Sequence, residues 1–427
     1  MWSRLHLLAT LLWAQDTLYL TISEAERQFL QKNLSLIAQH LQIESQKALA
    51  WQARLWPNPS FTAEQVDIFT KAEAALPPFL SQPRVNQVAL TLSQTILTAR
   101  KRLKGVALAN AEVTLKEAAL EELLRQLRYE LRSTIATLQR EQILIQLLVG
   151  EASFLHQLVE QYRALMEKGL IPLSDYFRLQ NLHFRIQADL RGVRERWEAA
   201  QHTLRQLLQI SPPAPIIWVD TTGFFVGSLP NLPPLNILLP CAQERGDVRI
   251  AAAQVRIQAA SLSVERASAY PDIDFRIMYD RLGGYRLNQW GIGLAFPLPL
   301  FNRNQGKITA LTYNLRVAEL EYEQTLLRAQ SEITQVWRKA LNLQEQWQKM
   351  PHDVVSQYQQ ATAIYRENLL SGRVSLNDFL NFSQSSREML TQYVDMQLAA
   401  KLLEDELKYV TAGKNCDSAI GESHPKN

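Results

Sequence analysis

Residues 272–281 read Asp272-Ile273-Asp274-Phe275-Arg276-Ile277-Met278-Tyr279-Asp280-Arg281. In an extended chain Ile273, Phe275, Ile277 and Tyr279 fall on one side, and Asp272, Asp274, Arg276 and Asp280 on the other. Alternation of this kind over roughly ten residues predicts a strand with one apolar and one polar face. A little further on, Gln289-Trp290-Gly291-Ile292-Gly293-Leu294-Ala295-Phe296 alternates again, setting Trp290, Ile292, Leu294 and Phe296 against Gln289, Gly291, Gly293 and Ala295. Aromatic residues near the ends suit strands whose two faces meet hydrocarbon and water. A hairpin in a soluble sheet with one wet face has the same local pattern, so the surroundings must decide.

The surroundings repeat. An earlier pair of segments carries the same signal: Val88, Leu90 and Leu92 alternate with Gln87, Ala89, Thr91 and Ser93, while Ser60 to Ile68 is weaker, with Gln65 and Asp67 on its apolar side. Gly169-Leu170-Ile171-Pro172-Leu173-Ser174-Asp175-Tyr176 matches Gly372-Arg373-Val374-Ser375-Leu376-Asn377-Asp378-Phe379, an offset of 203 from Asp175 to Asp378. Thr95 and Pro299 stand 204 apart, and Trp56-Pro57 matches Tyr270-Pro271 with 214 between the prolines. The first half therefore carries about ten extra residues in its hairpin loop, around Lys71 to Arg84.

Each half has the same expected order. A helix (about 22–55 and 235–269) ends at an aromatic-Pro pair, because the residue before proline is pushed out of the helical region. Two strands follow, then a long helix (about 98–149 and 303–349), a break, a shorter helix (about 151–168 and 352–371), a Gly…Asp turn and a last helix (about 175–209 and 378–411). No proline falls between Pro83 and Pro172, Pro299 and Pro351, or Pro351 and Pro425, which permits helices far beyond the usual length of about 11–12 residues. A helix of roughly 50 residues spans about 75 Å, and two of them flanking hairpins fit poorly in a compact core. The chain divides into a signal peptide (1–14), a first repeat (15–210), a Pro-rich connector (211–234, extended at Ile216 to Val219), a second repeat (235–411) and a disordered tail (412–427).

Four strands cannot close a membrane barrel, which needs about eight at least, and an open edge in lipid leaves backbone groups unpaired. If the strands cross a membrane, several chains must share one barrel. No apolar stretch after the signal reaches the ~18 residues of a transmembrane helix.

Composition excludes other classes. With 45 Lys+Arg against 42 Asp+Glu in 427 residues the net charge is +3, which gives no electrostatic case for nucleic acid. No catalytic constellation is visible, and no cofactor or metal motif. His40, His156, His183, His202 and His352 show none of the close spacings that place two imidazoles on one ion, and six methionines make no soft-metal track. Cys241 and Cys416 form no CxxC; a disulfide and two free thiols both remain open.

In its duplicated helix–hairpin–helix–helix plan, in Trp56-Pro57-Asn58-Pro59 and in the paired Gly…Asp turns, the chain resembles the TolC-type outer-membrane efflux family along almost all its length after the signal. Phe296-Pro297-Leu298-Pro299-Leu300-Phe301-Asn302-Arg303-Asn304-Gln305-Gly306-Lys307 most resembles the heavy-metal (cobalt–zinc–cadmium) branch of resistance-nodulation-division systems. Unlike many members, the sequence has no cysteine for a lipid anchor after the signal. The resemblance implies a mainly α protein with membrane β-hairpins, a homotrimer sharing a twelve-stranded β-barrel in outer-membrane lipid, and an α-helical barrel in the periplasm. It implies a periplasmic adaptor and an inner-membrane pump as partners, and a passive exit duct for metal cations or small toxic compounds. A protein-export duct of the same architecture and a pore-less periplasmic coiled-coil scaffold are the competing readings.

The turns are the candidate site. Locally, Gly169 and Gly372 end their helices in the left-handed conformation, and Ser174/Asp175 and Asn377/Asp378 are expected to cap the next ones. In the family such turns form the periplasmic tip. That assigns adaptor docking to Gly169, Leu170, Ile171, Leu173, Asp175, Gly372, Val374, Leu376 and Asp378, read as an exposed apolar surface. Glu167, Arg366, Glu367 and Arg373 become aperture candidates, and Phe275, Ile277, Tyr279, Trp290, Ile292, Leu294 and Phe296 the membrane-strand residues.

Overall fold

The structure, a computed structural model, describes residues 17–66, 87–213, 215–226, 229, 232–281, 288–350 and 354–411. The signal segment, the loop at 71–84, His352, Cys416 and the tail lie outside the described residues. In chain order the elements are β1 (Thr17–Leu20), α1 (Ile22–Lys32), α2 (Leu34–Gln52), β2 (Ser60–Val66), β3 (Gln87–Ile96), α3 (Lys101–Glu167), α4 (Leu173–Leu207), β4 (Ile216–Val219), α5 (Leu235–Leu238), a 3-10 turn (Leu239–Glu244), α6 (Gly246–Ser268), β5 (Ile273–Asp280), β6 (Gln289–Ala295), α7 (Gln305–Gln348), α8 (Val354–Leu370) and α9 (Leu376–Thr411). They fall into two compact units, residues 39–119 with 247–325, and residues 1–38 with 120–246 and 326–427. Each unit draws on both halves of the sequence.

The first of these units holds an antiparallel sheet in the order β2-β3-β5-β6. Residues directly opposite share a face, and the register places Phe61, Leu92, Ile277 and Ile292 in one row across all four strands. The next row is Ala63, Leu90, Tyr279 and Trp290, and Phe275 faces Leu294. The opposite face carries Ser93, Arg276 and Gly293 in one row, with Ser60 and Ser93 hydroxyls 2.7 Å apart and Thr95 donating to Asp274 at 2.7 Å. The apolar face is uncovered: Phe61 is 67% exposed and Ile292 76%. The outer sides of β2 and β6 have no strand partner among the described residues. Phe296 lies one residue beyond β6 and is exposed, so it flanks the strand instead of belonging to it.

Both aromatic-Pro landmarks anchor the passage from β3 into α3. Thr98 donates its amide to Asp272 at 2.9 Å, and Lys101 pairs with Asp272 at 2.7 Å while donating to the Tyr270 carbonyl. Arg102 lies 4.7 Å over the Trp56 ring, and Gln94 donates to the Pro57 carbonyl at 3.0 Å. Arg100 before α3 and Asn304 before α7 are both left-handed, 204 positions apart, as Gly169 and Gly372 are 203 apart. The same backbone solution recurs in each half at the offset of the sequence repeat.

In the second unit, Leu20, Ile217, Val219, Phe29, Leu131, Leu138, Leu204 and Leu208 belong to one core cluster. β1 runs parallel to β4 with Thr17 opposite Ile216 and Leu20 opposite Val219. Buried Gln201 satisfies β4 by accepting from the Ile217 amide at 3.0 Å and donating to its carbonyl. A second cluster joins α3, α4, α8 and α9 through Leu155, Leu158, Leu179, Ile186, Leu369, Phe379 and Val394.

Several sequence-based boundaries shift. The expected helix 22–55 divides at Asn33, whose side chain donates to the Leu207 carbonyl at 3.2 Å and accepts from the Ser35 and Leu36 amides, capping α2. The expected helix 235–269 breaks into α5, the 3-10 turn containing Pro240, and α6, which opens at Gly246. A Cβ on Gly246 would stand 2.8 Å from Glu122 Cα, so only glycine lets the chains pass. The break expected near residue 150 is missing: α3 runs through Gly150 unbroken, since glycine costs a helix only about 1 kcal/mol against about 3 for proline. The second half does break: α7 ends at Gln348 and α8 starts at Val354. α3 also contains an 18-residue window apolar enough to cross a membrane by composition (mean hydropathy 1.3), contrary to the sequence expectation, but half of that window is buried in the protein. Cys241 is disulfide-bonded.

Candidate functional site

The two turns close the hairpins α3–α4 and α8–α9. Gly169 and Gly372 have φ of +69° and +70°, where a Cβ would be strained. In both, the chain reverses with the same hydrogen bonds: Gly169 N–H to Met166 and Leu170 N–H to Leu165, and Gly372 N–H to Leu369 and Arg373 N–H to Asn368.

The helix starts differ from expectation. α4 is preceded by Pro172, which supplies no side-chain cap, and Asp175 only adds charge to the first turn. In α9 the cap is Ser375, whose hydroxyl accepts from the Asp378 amide at 3.2 Å and donates to the Asp378 carboxylate at 2.7 Å. Ser174 and Asn377 do not cap. Asn377 instead accepts from Arg178 at 2.6 Å, a link between the starts of α4 and α9.

Burial separates the expected apolar surface into two groups. Leu170 is 68% exposed and Leu173 55%, while Ile171 and Val374 are half-buried. Leu376 is buried in the core cluster with Leu369 and Phe379, so its expected exposure is corrected. A helix's first residue points its side chain back over the preceding turn, here onto the hairpin core. Among the charged candidates Glu167 and Arg373 are exposed, Glu167 pairing with Arg163 at 3.4 Å, and Glu367 is exposed. Arg366 turns inward, its guanidinium 4.4 Å over the Phe154 ring and its Nε buried without a hydrogen-bond partner.

Deeper in this bundle sits a polar layer that sequence reasoning did not single out. Buried Glu151 accepts from Ser383 at 2.7 Å, and Arg387 lies 3.7 Å from Asp189. Burial, aided by the charge of Glu151, pushes the Tyr358 hydroxyl up to about 12. A cavity of about 610 Å³ opens between Arg140, Glu151, Asp189, Arg196, Tyr358 and Arg387. Nothing in the layer pairs a nucleophile with a base.

The histidines also depart from the sequence reading. His156 on α3 and His183 on α4, expected to be scattered, stand with ring centroids 5.7 Å apart. Burial first, then His156, pulls the His183 imidazole below its ordinary range. Among the described residues no group of three or more His, Cys, Asp or Glu converges on a common point.

Residues 241–412 match the family model described as outer membrane efflux protein. No curated protein sequence matches the chain. Solved structures do: the Campylobacter jejuni CmeC outer membrane channel (TM-score 0.72, 15% identity, 93% of this chain and 89% of that one) is similar. So is CusC, described for its transmembrane channel formation (0.71, 16%, 91% of each). The outer membrane protein VceC of Vibrio cholerae is a third (0.69, 19%, 92% and 96%). The chain thus carries the outer membrane efflux protein model over residues 241–412 and has the fold of these outer-membrane channels along nearly all its length.

Proposed function

We propose that the chain is one subunit of an outer-membrane exit duct of a tripartite efflux pump, three copies closing a twelve-stranded barrel continued by periplasmic helices. The observation that carries this reading is the sheet β2-β3-β5-β6, polar on one face, apolar and uncovered on the other, and unpaired at both edges among the described residues. A soluble scaffold would expose that apolar face to water; in a barrel it faces hydrocarbon and the polar face lines water. Two copies supply eight strands and three supply twelve; the family resemblance favours three. The order β2 to β6 places β6 of one copy beside β2 of the next, so a cyclic ring closes without an edge.

The recurrence of left-handed residues at 203 and 204 positions supports the division into repeats 15–210 and 235–411 about a connector at 211–234. Leu170 and Leu173, with Ile171 and Val374 partly accessible, form the surface for a periplasmic adaptor, the glycine turns setting its shape. Glu167, Glu367 and Arg373 are the charges available to an aperture. The cargo is metal cations or small toxic compounds driven by an inner-membrane pump, the metal choice resting on the resemblance at Phe296 to Lys307.

Fractionation tests the reading. The protein is expected in the outer membrane as an oligomer that runs as a trimer unheated and as a 48.9 kDa chain after boiling, less any removed leader. Recovery as a soluble periplasmic monomer would overturn it.

A further inference from the structure

We propose that His156 and His183 form a transition-metal site that bridges the hairpin α3–α4, taking a divalent ion that favours imidazole, Cu²⁺ most tightly and then Ni²⁺ or Zn²⁺. The two residues are 27 positions apart, too far for one helix face, and only the hairpin brings them together. They stand almost symmetrically about the turn, His156 lying 13 residues before Gly169 and His183 14 after. That places the pair about 20 Å from the turn at 1.5 Å per residue.

The geometry suits shared ligation. With ring nitrogens about 2.0–2.1 Å from an ion, each ring centroid lies about 3.2 Å away; two centroids are then roughly 5.2 Å apart at a tetrahedral angle and about 6.4 Å apart in line. The observed 5.7 Å falls between these limits. The rings are inclined at 37°, so neither lies flat on the other as in a packed aromatic stack.

The surroundings can complete the shell. Gln187, one turn beyond His183, has its side-chain amide 3.4 Å from His183 Nε2 and can present its oxygen by rotating. Glu160 stands four residues after His156 on the same helix face. His156 is exposed and His183 half-buried, so an ion can enter directly from water. With two imidazoles and remaining positions open to water, the site is a readily exchanging one.

The site does not follow from the duplicated plan. Shifted by 203 positions, His156 corresponds to Gln359 and His183 to Ser386, neither able to replace an imidazole. The second hairpin α8–α9 therefore lacks the pair, and each chain carries one bridge.

The test uses the full chain, purified in detergent without a polyhistidine tag, with Cu²⁺ and Zn²⁺ alone as probes. Equilibrium dialysis is expected to give one ion per chain at this site. The electron paramagnetic resonance spectrum of the Cu²⁺ form should show coupling to two imidazole nitrogens. His156→Ala and His183→Gln should each weaken binding at least tenfold and remove one nitrogen coupling, an effect no smaller than loss of a residue merely supporting a ligand. His202→Ala, a histidine elsewhere on α4, should change neither. A wild-type spectrum without two nitrogens overturns the proposal whatever the variants do, and so does a two-nitrogen spectrum that survives in the double variant.

Discussion

Leu170 and Leu376 make the sharpest test of the hairpin ends, because sequence gives both the same role and the structure gives them opposite environments. Leu376 is 9% exposed and sits in the cluster with Leu369, Phe379 and Leu179. Leu→Ala in such a core costs about 2–5 kcal/mol; next to a turn, where neighbours can settle into the void, about 2–3 kcal/mol is appropriate. Leu170 is 68% exposed, and its truncation should stay within about 0.5 kcal/mol. The opening that matters is local, so hydrogen exchange followed by mass spectrometry on the assembled protein is the suitable assay. At about 1.36 kcal/mol per tenfold, Leu376→Ala should speed exchange at the start of α9 roughly 30- to 150-fold. The amide of Phe379, bonded to the Ser375 carbonyl at 3.1 Å, is a direct reporter. Leu170→Ala should leave exchange unchanged yet reduce adaptor-dependent resistance in cells. Unchanged exchange in Leu376→Ala, or acceleration in Leu170→Ala, would refute the division into core and docking surface.

Three further outcomes are expected. Ile292→Arg places a charge at the centre of β6 on the apolar face, which the proposed barrel would turn to lipid at a cost of about 2–4 kcal/mol; it should abolish the boiling-sensitive oligomer, whereas Gly291→Ala on the other face should not. Tyr358, neutral when protonated and raised from 10.0 to about 12 in the fold, contributes stability, on the order of 2–3 kcal/mol, that is complete below pH 10 and lost as pH climbs toward 12. Tyr358→Phe should flatten that loss in alkaline unfolding curves; an equally steep curve would count against it. Gly246→Ala forces a methyl to within 2.8 Å of the Glu122 backbone, so a loss of about 1–3 kcal/mol is expected, read as a lowered unfolding midpoint, and a wild-type midpoint would show that α3 and α6 can separate freely there.

Much of the fold is legible in the sequence because it is written in period-two alternation and in proline placement. The rows Phe61–Leu92–Ile277–Ile292 and Ala63–Leu90–Tyr279–Trp290 are the alternation seen strand by strand, now aligned by register. α7 ends at Gln348, where the position of proline in the sequence predicts a stop. Gly150 does not end α3, because a single glycine only lowers helix propensity while the packed leucines on either side hold the helix. β1 went unseen: four residues are too few for periodicity, and the parallel partner β4 lies almost 200 positions away. The candidate site divides along the same line. Glycine conformation is local and was readable at Gly169 and Gly372. Whether Leu376 faces water, whether Ser375 outcompetes Asn377 as a cap, and whether His156 meets His183 depend on how helices align across a hairpin, which no local pattern encodes.

The two edges of the sheet, bare among the described residues, bear on how the protein is made. β2 and β6 are seven residues each, so a lone chain entering a bilayer would carry about three unmatched amides per edge, each costing several kcal/mol in hydrocarbon. Entry into lipid and association with other copies must then be a single event, with a rate rising more steeply than the first power of chain concentration. A copy able to pair through β2 but not through β6 would join a nascent ring and stop it closing. Co-expressed in equal amounts in a ring of three, it would leave about one ring in eight intact by random assortment, a dominant-negative effect that a monomeric barrel could not show.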